Sequence, residues 1–328
     1  MKKVFALLLS VLLVFTISGC NSNEDEEIPM EYTVGIAVYG DHAALNHCKQ
    51  GIIETLEEEG IIKDENLNLI TGNALYEPKE AEQLTKSFLA QKANLICAIG
   101  TPMAESAVKI AKDTDIPTVF AAVTDPVSAN LKNTNATGVC DQVAAETQLK
   151  AIRGLMPQAT KIGIIYSANE TNALYSLEQY KKLAAQHGFE IIASPINIAT
   201  DIPLAADNLL LQVDCMTMLN DNTVVGSLGT VLKKANALGI PVFGSEVSQV
   251  KKGCIAGIGN DYKIIGNKAG KIIAKILKGE AKATDIPYET VKDDTFYINP
   301  EVMTSFDITL PEGMKEYAKD INTIDEEE

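Results

Sequence analysis

Six polar loops follow short apolar runs of the chain, and they contain most of the side chains that could do chemistry. The loops span residues 39–42, 101–105, 124–126, 167–172, 220–223 and 245–247, and they are rich in hydroxyls, amides and carboxylates. Such groups suit the hydrogen bonding of a polar small molecule. The candidate binding residues are Tyr39, His42, Thr101, Pro102, Thr124, Asp125, Tyr166, Glu170, Asn172, Asn220, Asp221, Asn222, Ser245, Glu246 and Asp261.

Patterns typical of catalytic and metal sites are weak in this sequence. His42, His47 and Cys48 share one segment, but adjacent His and Cys side chains form no dyad. The spacing of the two histidines also differs from the i,i+4 spacing that places metal ligands on one helix face. The sequence contains no G-x-S-x-G elbow, no P-loop and no Cys-x-x-Cys pair. We therefore predict no catalytic residue, no metal and no cofactor.

The elements that must position these loops alternate regularly along the chain. Short β-rich runs such as TVGIAV, NLICAI and PTVFAAV alternate with amphipathic helical stretches of about 10 to 15 residues. This alternation is typical of a parallel sheet covered by helices on both faces. Ligands of open parallel sheets collect at the carboxyl ends of the strands, which is where the six loops lie.

The second half of the chain repeats the design of the first. VGIAVY, a polar loop, a helix and Gly60 are matched by IGIIYS, a polar loop, a helix and Gly188. Further on, NLICAIG leads to DIPTVF in the same way that DCMTMLN leads to GIPVFG. We therefore predict an α/β fold of two doubly wound, parallel-sheet lobes, joined by a hinge and facing each other across a cleft.

The first residues of the chain have the pattern of a secretory signal. Lys2 and Lys3 precede an apolar run that ends near Ile17, and this run is shorter than the ~20 residues that span a bilayer. The following ISGC resembles the lipobox of bacterial lipoproteins, in which the Cys20 thiol is acylated and becomes the first residue. We predict a signal peptide over residues 1–19 and a lipid-anchored acidic tether over 20–31, on the extracytoplasmic face of the cell membrane. An uncleaved anchor is the alternative.

Charge and cysteine usage argue against a nucleic-acid-binding protein and against a fold held by disulfides. The formal net charge is −16, because 44 acidic residues outnumber 28 basic ones, and Arg153 is the only arginine, so the chain as a whole repels phosphates. We therefore predict no nucleic-acid partner. The five remaining cysteines are odd in number and lie in apolar stretches, which favours small core residues over a disulfide framework.

The motifs together resemble a known family. AAVTDP, NDNT followed by IPVFGSE, and the closing NDY…G…A…ILKGE are similar to the tryptophan/tyrosine-type substrate-binding lipoproteins of ABC importers. The resemblance covers residues 32–289 and implies the type I periplasmic-binding-protein fold. It implies a first lobe of residues 32–139 and 259–285, a second lobe of 142–257 and 288–299, and a C-terminal tail of 300–328. It also implies a monomer that binds a small amino-acid-like ligand, with an aromatic one favoured, and works with an ABC permease and its ATPase.

This resemblance suggests roles for the candidate carboxylates. An amino-acid ammonium group needs an anionic partner, and Asp125, Asp221 or Glu246 could supply it. Free N–H groups at the helix starts after Gly100 and after Asn220 could bind the ligand carboxylate. Each assignment has a structural alternative, because an acidic residue at such a position can equally be a helix cap or part of a turn.

Two tyrosines end matching strands of the two halves. Tyr39 and Tyr166 could form opposed walls for an aromatic ligand, or they could be half-buried strand ends. Where relatives commonly carry Asn-Pro-Gly-Glu after the second tyrosine, this chain has Ser167-Ala168-Asn169-Glu170. Asn172 still fits the family pattern, and we expect the altered loop to change the pocket.

Other functions stay open on the sequence alone, because one fold supports many activities. A sensory receptor of the same fold that signals to a membrane kinase is the first alternative. An extracellular enzyme is the second, although no nucleophile–base motif supports it. Sugars and nucleobases are alternative ligands.

Overall fold

The computed structural model describes residues 31–142, 145–292 and 294–324. The predicted signal peptide, Cys20 and residues 20–30 of the predicted tether lie outside the described residues. Among the described helices, none has the length and apolar character needed to cross a membrane.

The described chain alternates strands and helices as the sequence predicts. Its strands are β1 (Tyr32–Val38), β2 (Leu67–Asn73), β3 (Leu95–Ile99), β4 (Thr118–Val123), β5 (Ala136–Cys140), β6 (Lys161–Ser167), β7 (Glu190–Ile196), β8 (Cys215–Thr217), β9 (Val242–Gly244), β10 (Ala256–Ile258), β11 (Glu289–Thr290), β12 (Phe296–Ile298) and β13 (Ala318–Asp320). Its α-helices are α1 (Ala43–Glu58), α2 (Pro78–Ala90), α3 (Thr101–Ala111), α4 (Ala145–Leu155), α5 (Thr171–Ala184), α6 (Ile202–Leu210), α7 (Asn222–Gly226), α8 (Leu228–Ala237), α9 (Val247–Lys251), α10 (Tyr262–Leu277), α11 (Pro300–Ser305) and α12 (Glu312–Lys315).

Two sheets form the centres of two lobes. The first sheet has six parallel strands in the order β11-β5-β4-β3-β1-β2. The second has seven strands in the order β13-β12-β10-β9-β8-β6-β7, and only the β10–β12 pair is antiparallel. Strands such as β3 and β4 are buried along their whole length, because helices cover both faces. The predicted α/β fold of two doubly wound lobes is confirmed.

Helix α10 returns to the first lobe and packs closely along α1. A Cβ atom at Gly266 would lie 2.1 Å from the backbone oxygen of Cys48, and one at Gly51 would lie 2.5 Å from the backbone oxygen of Lys263. Only glycine allows two helix backbones to approach this closely. The contact places a helix from late in the sequence against the first of the described helices.

Within the described ranges, consecutive strands change from one sheet to the other three times, after β5, after β10 and after β11. The C-terminal region differs from its sequence-based description in two respects. Strand β11, expected in the second lobe, pairs with β5 of the first sheet. Residues 300–324, expected as a tail, form α11, α12 and β13, and β13 extends the second sheet by pairing with β12. Burial of Met303 and Met314, together with a 5.9 Å contact between the rings of Phe296 and Tyr317, attaches this segment to the lobe.

The cysteines of the described chain are core residues. Cys48, Cys97, Cys140, Cys215 and Cys254 are buried and form no disulfide within the described residues. Burial raises the pKa of each thiol, so these side chains are packing groups and not reactive thiolates.

Candidate ligand-binding site

The carboxyl ends of both sheets face each other across a crevice between the lobes. The cavity in this crevice has a volume of about 10 Å³, which is at the lower limit for one water molecule. Residues from both lobes line it, and several of them were predicted from the sequence. The lining residues are His42, Ala44, Leu45, Ala122, Thr124, Asp141, Asn172, Asn220, Asp221, Asn222, Val225, Glu246, Gln249 and Tyr262.

Glu170 occupies the N-terminus of α7 with its own carboxylate. Its Oε1 accepts hydrogen bonds from the backbone N–H and the hydroxyl of Thr223, at 2.9 and 2.7 Å. Its Oε2 accepts from the backbone N–H and the amide of Asn222, at 3.0 and 2.7 Å, and from the amide of Asn172 at 3.0 Å. The helix start that the sequence suggested for a ligand carboxylate is therefore filled by a side chain of the protein.

Asp221 is the N-cap of the same helix. One carboxylate oxygen accepts from the backbone N–H of Val224 at 3.0 Å and from the hydroxyl of Ser167 at 2.9 Å, and the other accepts from the backbone N–H of Ser167 at 2.5 Å. The residue is fully buried, and both this burial and the nearby charge of Glu170 raise the pKa of Asp221. Both oxygens are thus engaged within the second lobe, as the capping alternative expects.

Three further predicted carboxylates make similar local contacts. Asp125 accepts hydrogen bonds from the backbone N–H and hydroxyl of Ser128 in a turn. Glu246 and Asp261 accept from backbone N–H groups at the starts of α9 and α10, where they are the N-caps. Glu246 also lines the cavity and is buried, and this burial raises the pKa of its carboxyl group.

Asp141, which was not among the predicted residues, is a buried carboxylate that lines the cavity. It directly follows β5, where the chain first leaves the first lobe. It accepts hydrogen bonds from the hydroxyl of Thr124 at 3.0 Å, the amide of Asn220 at 3.1 Å and the phenol of Tyr262 at 2.6 Å. Burial raises the pKa of this carboxyl group. Its position at a strand end, in the motif ATGVCD, was a signal that sequence reasoning did not use.

Two asparagines present acceptors without partners among the described residues. The amide nitrogen of Asn172 donates to Glu170 and to the backbone oxygen of Asn220, at 3.0 and 2.5 Å. The amide nitrogen of Asn220 donates to the backbone and side-chain oxygens of Asp141, at 3.0 and 3.1 Å. Because these partners are all acceptors, the orientation of both amides is fixed. The Oδ1 atoms of Asn172 and Asn220 are left buried with no hydrogen bond in the described structure.

His42 presents a third acceptor of this kind. Its Nε2 lies 3.2 Å from Oδ1 of Asn222, whose amide nitrogen already donates to Glu170. Nε2 must therefore carry the proton, and Nδ1 is a bare acceptor that is buried and has no partner in the described structure. Burial lowers the pKa of His42 to about 4, so the ring is neutral at pH 7.

Neither of the two tyrosines predicted as walls lines the cavity of this structure. Tyr39 is buried and packs edge-on against Tyr76, with 6.3 Å between ring centroids, and its hydroxyl donates to the backbone oxygen of Tyr76 at 3.0 Å. Tyr166 is half-buried and packs against the hydrophobic core of the second lobe. The aromatic contact of Tyr39 in this structure is therefore Tyr76.

The remaining predicted residues do not line the cavity and instead make contacts within their own lobe. The hydroxyl of Thr101 accepts from the backbone N–H of Thr124 at 3.3 Å, and Pro102 is buried in the first turn of α3. Ser245 exchanges two hydrogen bonds with the side chain of Gln249, each of 3.0 Å. These contacts fix the loop backbones that carry the lining side chains.

A larger cavity of about 650 Å³ lies at the opposite end of the first sheet, near Lys112 and Tyr288. None of the predicted site residues lines it. Within the described ranges, no cluster of three or more His, Cys, Asp and Glu residues could hold a metal ion. The interlobe crevice thus remains the place where buried polar groups converge.

Comparisons with known proteins agree with this architecture. The family model described as ABC transporter substrate binding protein matches residues 33–322. A tyrosine-binding protein of Clostridioides difficile is 30% identical over 323 residues, which cover 94% of this chain and 93% of that relative.

Two solved structures add conformational information. An ABC domain from Streptococcus pneumoniae in complex with L-Trp has 28% identity and a TM-score of 0.85, covering 88% of this chain and 99% of the other. A ligand-free, open substrate-binding protein with adhesive properties from Clostridium difficile has 29% identity and a TM-score of 0.65, covering 88% of this chain and 98% of the other.

Proposed function

Because the chain belongs to the family of ABC transporter substrate-binding proteins, we propose that it captures an aromatic amino acid between its lobes for an ABC importer. The family resemblance found in the motifs is confirmed, and the family consists of solute-binding proteins and not of enzymes. A tyrosine-binding relative and a neighbour solved with L-Trp support the aromatic ligand.

The observation that carries the proposal is the set of acceptors around Asp141. An ammonium group brings one positive charge and three N–H donors. Asp141 offers a buried carboxylate, and the Oδ1 atoms of Asn172 and Asn220 offer acceptors that otherwise lack a partner. A buried acceptor without a hydrogen bond costs about 1–3 kcal/mol, so an ammonium that satisfies these atoms is favoured.

The same cavity has an apolar wall on which an aromatic ring can pack. Ala44, Leu45 and Ala122 lie on the first lobe, and Val225 lies on the second. A ring held between them removes its own surface from water and contacts both lobes at once. Contact with both lobes is what allows a ligand to stabilise the closed state.

The lobes of this structure are closed. At almost equal sequence identity, the chain is more similar to the neighbour solved with L-Trp than to the open, ligand-free neighbour. The cavity of about 10 Å³ also leaves no room for an amino acid. Entry of the ligand therefore requires the lobes to separate at the three chain crossings, and binding is followed by closure.

The proposed setting is the outer face of the cell membrane. Acylation of Cys20 would anchor the monomer, residues 20–31 would serve as its tether, and an ABC permease with its ATPase would receive the ligand. Replacement of Cys20 by Ser is expected to release the protein into the medium, as measured by blotting cell and medium fractions. An unchanged distribution would contradict the lipid anchor.

Calorimetric titration of the purified protein with the twenty amino acids tests the ligand. Tyrosine or tryptophan should bind. Asp141→Asn should weaken that binding at least ~10-fold, because leaving the buried ammonium group without its carboxylate partner costs more than about 1.4 kcal/mol. Asp125→Asn, in a turn outside the cavity, is the matched control and should leave the affinity unchanged. Failure of all three aromatic amino acids to bind would refute the proposed ligand class.

A further inference from the structure

A chain of hydrogen bonds connects polar side chains of both lobes in the crevice. It begins at His42 and passes through the side chains of Asn222, Glu170 and Asn172 to Asn220 and then Asp141, with each link between 2.5 and 3.2 Å long. The carboxylate and the two bare amide oxygens lie towards one end of this chain. The bare nitrogen of His42 lies at the other end. Four residues separate His42 from Asp141 along this chain, so Nδ1 of His42 is an acceptor additional to those around Asp141.

We propose that His42 recognises the far end of the ligand, accepting a hydrogen bond at Nδ1 from a phenol O–H or an indole N–H. The site would therefore select aromatic amino acids that carry a donor on the ring and reject phenylalanine. This inference rests on the proposed function, which supplies the ligand class, and it adds the group that discriminates within the class.

The structure explains why Nδ1 can act only as an acceptor. Asn222 is held by Glu170, so its Oδ1 faces His42 and keeps the proton on Nε2. The ring is 7% exposed and neutral at pH 7, so no second proton reaches Nδ1. Glu170 thus fixes the tautomer of His42 through Asn222, in the way that a carboxylate orients a histidine in many binding sites.

The cost of the wrong ligand follows from the burial of this atom. Phenylalanine fills the same apolar space but leaves Nδ1 without a partner and without water. A site that hydrogen-bonds a ligand donor rejects the analogue that lacks it, because the buried polar atom of the protein is left unpaired. We expect tyrosine to bind about 10- to 100-fold more tightly than phenylalanine.

Calorimetric titration with tyrosine, phenylalanine and O-methyltyrosine tests the proposal on the unmodified protein. O-methyltyrosine keeps the ring oxygen but has lost the O–H, and it should bind as weakly as phenylalanine or more weakly. Equal affinities for tyrosine and phenylalanine would overturn the proposal. If none of the aromatic amino acids binds, the proposed function itself fails, and the two failures are thereby distinguished.

Variants of His42 provide the second test. His42→Leu should reduce the preference for tyrosine over phenylalanine to less than about 3-fold while phenylalanine still binds, because the acceptor is gone. His42→Gln should keep the preference, since a glutamine can donate to Asn222 and accept from the ligand. His47→Gln, on the exposed side of α1, is the control. If His42→Leu still prefers tyrosine over phenylalanine as strongly as the unmodified protein does, the proposal is overturned. It is also overturned if His47→Gln loses that preference. If His42→Leu does not fold, the ligand series on the unmodified protein decides.

Discussion

Glu170 is the residue whose replacement gives the sharpest test of how the crevice is built. Its carboxylate accepts five hydrogen bonds from Asn172, Asn222 and Thr223, and the side chain is 1% exposed. In Glu170→Gln the new amide nitrogen cannot take the place of Oε2, because all three partners of that atom are N–H donors. It can take the place of Oε1, where the hydroxyl of Thr223 can rotate and accept a hydrogen bond. The backbone N–H of Thr223 then loses its partner, at a cost of about 1–3 kcal/mol. Glu170→Ala removes all five hydrogen bonds and should cost roughly 5 kcal/mol, at roughly 1 kcal/mol for each bond.

Urea denaturation of the purified protein at pH 7 measures these losses of unfolding free energy. The matched control is Glu178→Gln, which removes an exposed ion pair of 2.8 Å with Lys182 on α5 and should cost less than about 0.5 kcal/mol. If Glu170→Gln is no less stable than Glu178→Gln, the five hydrogen bonds do not hold the loop to α7, and the reasoning is refuted.

The pH dependence of the same variant provides an independent readout. The charge of Glu170 contributes to the raised pKa of Asp221. A carboxyl group whose pKa is raised in the folded state favours folding at low pH, and that contribution is lost as the pH rises from its ordinary value through its raised one. In Glu170→Gln the pKa of Asp221 falls towards its ordinary value, so this loss is smaller. The stability difference between the two proteins should narrow as the pH rises towards 8.

Three further predictions concern packing and protonation. Gly266→Ala should destabilise the protein by more than about 3 kcal/mol in urea, because its methyl group would overlap the backbone oxygen of Cys48, whereas Gly229→Ala, with no atom within 4 Å, should be neutral or stabilising. Arg153→Lys should cost about 2–3 kcal/mol, because lysine cannot replace the planar group that makes five hydrogen bonds to backbone oxygens, and a melting temperature equal to that of the unmodified protein would contradict this. Protonation of buried His42 is disfavoured in the folded state, so stability due to this residue is present above pH 6.5 and is lost as the pH falls to about 4. The stability of the unmodified protein relative to His42→Gln should therefore fall by about 3 kcal/mol between pH 7 and pH 4, and a constant difference in urea titrations would show that the ring is not buried as described.

The sequence predicted the architecture because its determinants are local. The apolar runs and the polar loops that follow them define parallel strands and their carboxyl ends, and these positions do not depend on distant contacts. The alternation of side chains along a strand also predicts which of them share a face. Ile162, Ile164 and Tyr166 alternate along β6, so they point to one side, and the structure packs all three against the core of the second lobe.

The roles of individual carboxylates could not be assigned from the sequence in the same way. Glu170, Asp221 and Asp141 all follow strands and appear equivalent in a one-dimensional pattern. Two of them accept backbone N–H groups from α7, and the third receives donors from both lobes. Which donors a carboxylate meets depends on where the chain crosses between the lobes, and that is fixed only by the tertiary fold.

The contact between α1 and α10 has a consequence for how the molecule is made. The ribosome synthesises more than half of the chain, including most of the second lobe, before it reaches the helix that covers α1. Until then Ile52, Leu56 and their neighbours lack the helix that packs over them, so the first lobe stays unfinished while most of the second lobe is being synthesised. A translation stop before residue 262 would leave both lobes unfinished, because α10 and β11 of the first lobe and β12 and β13 of the second all follow that point.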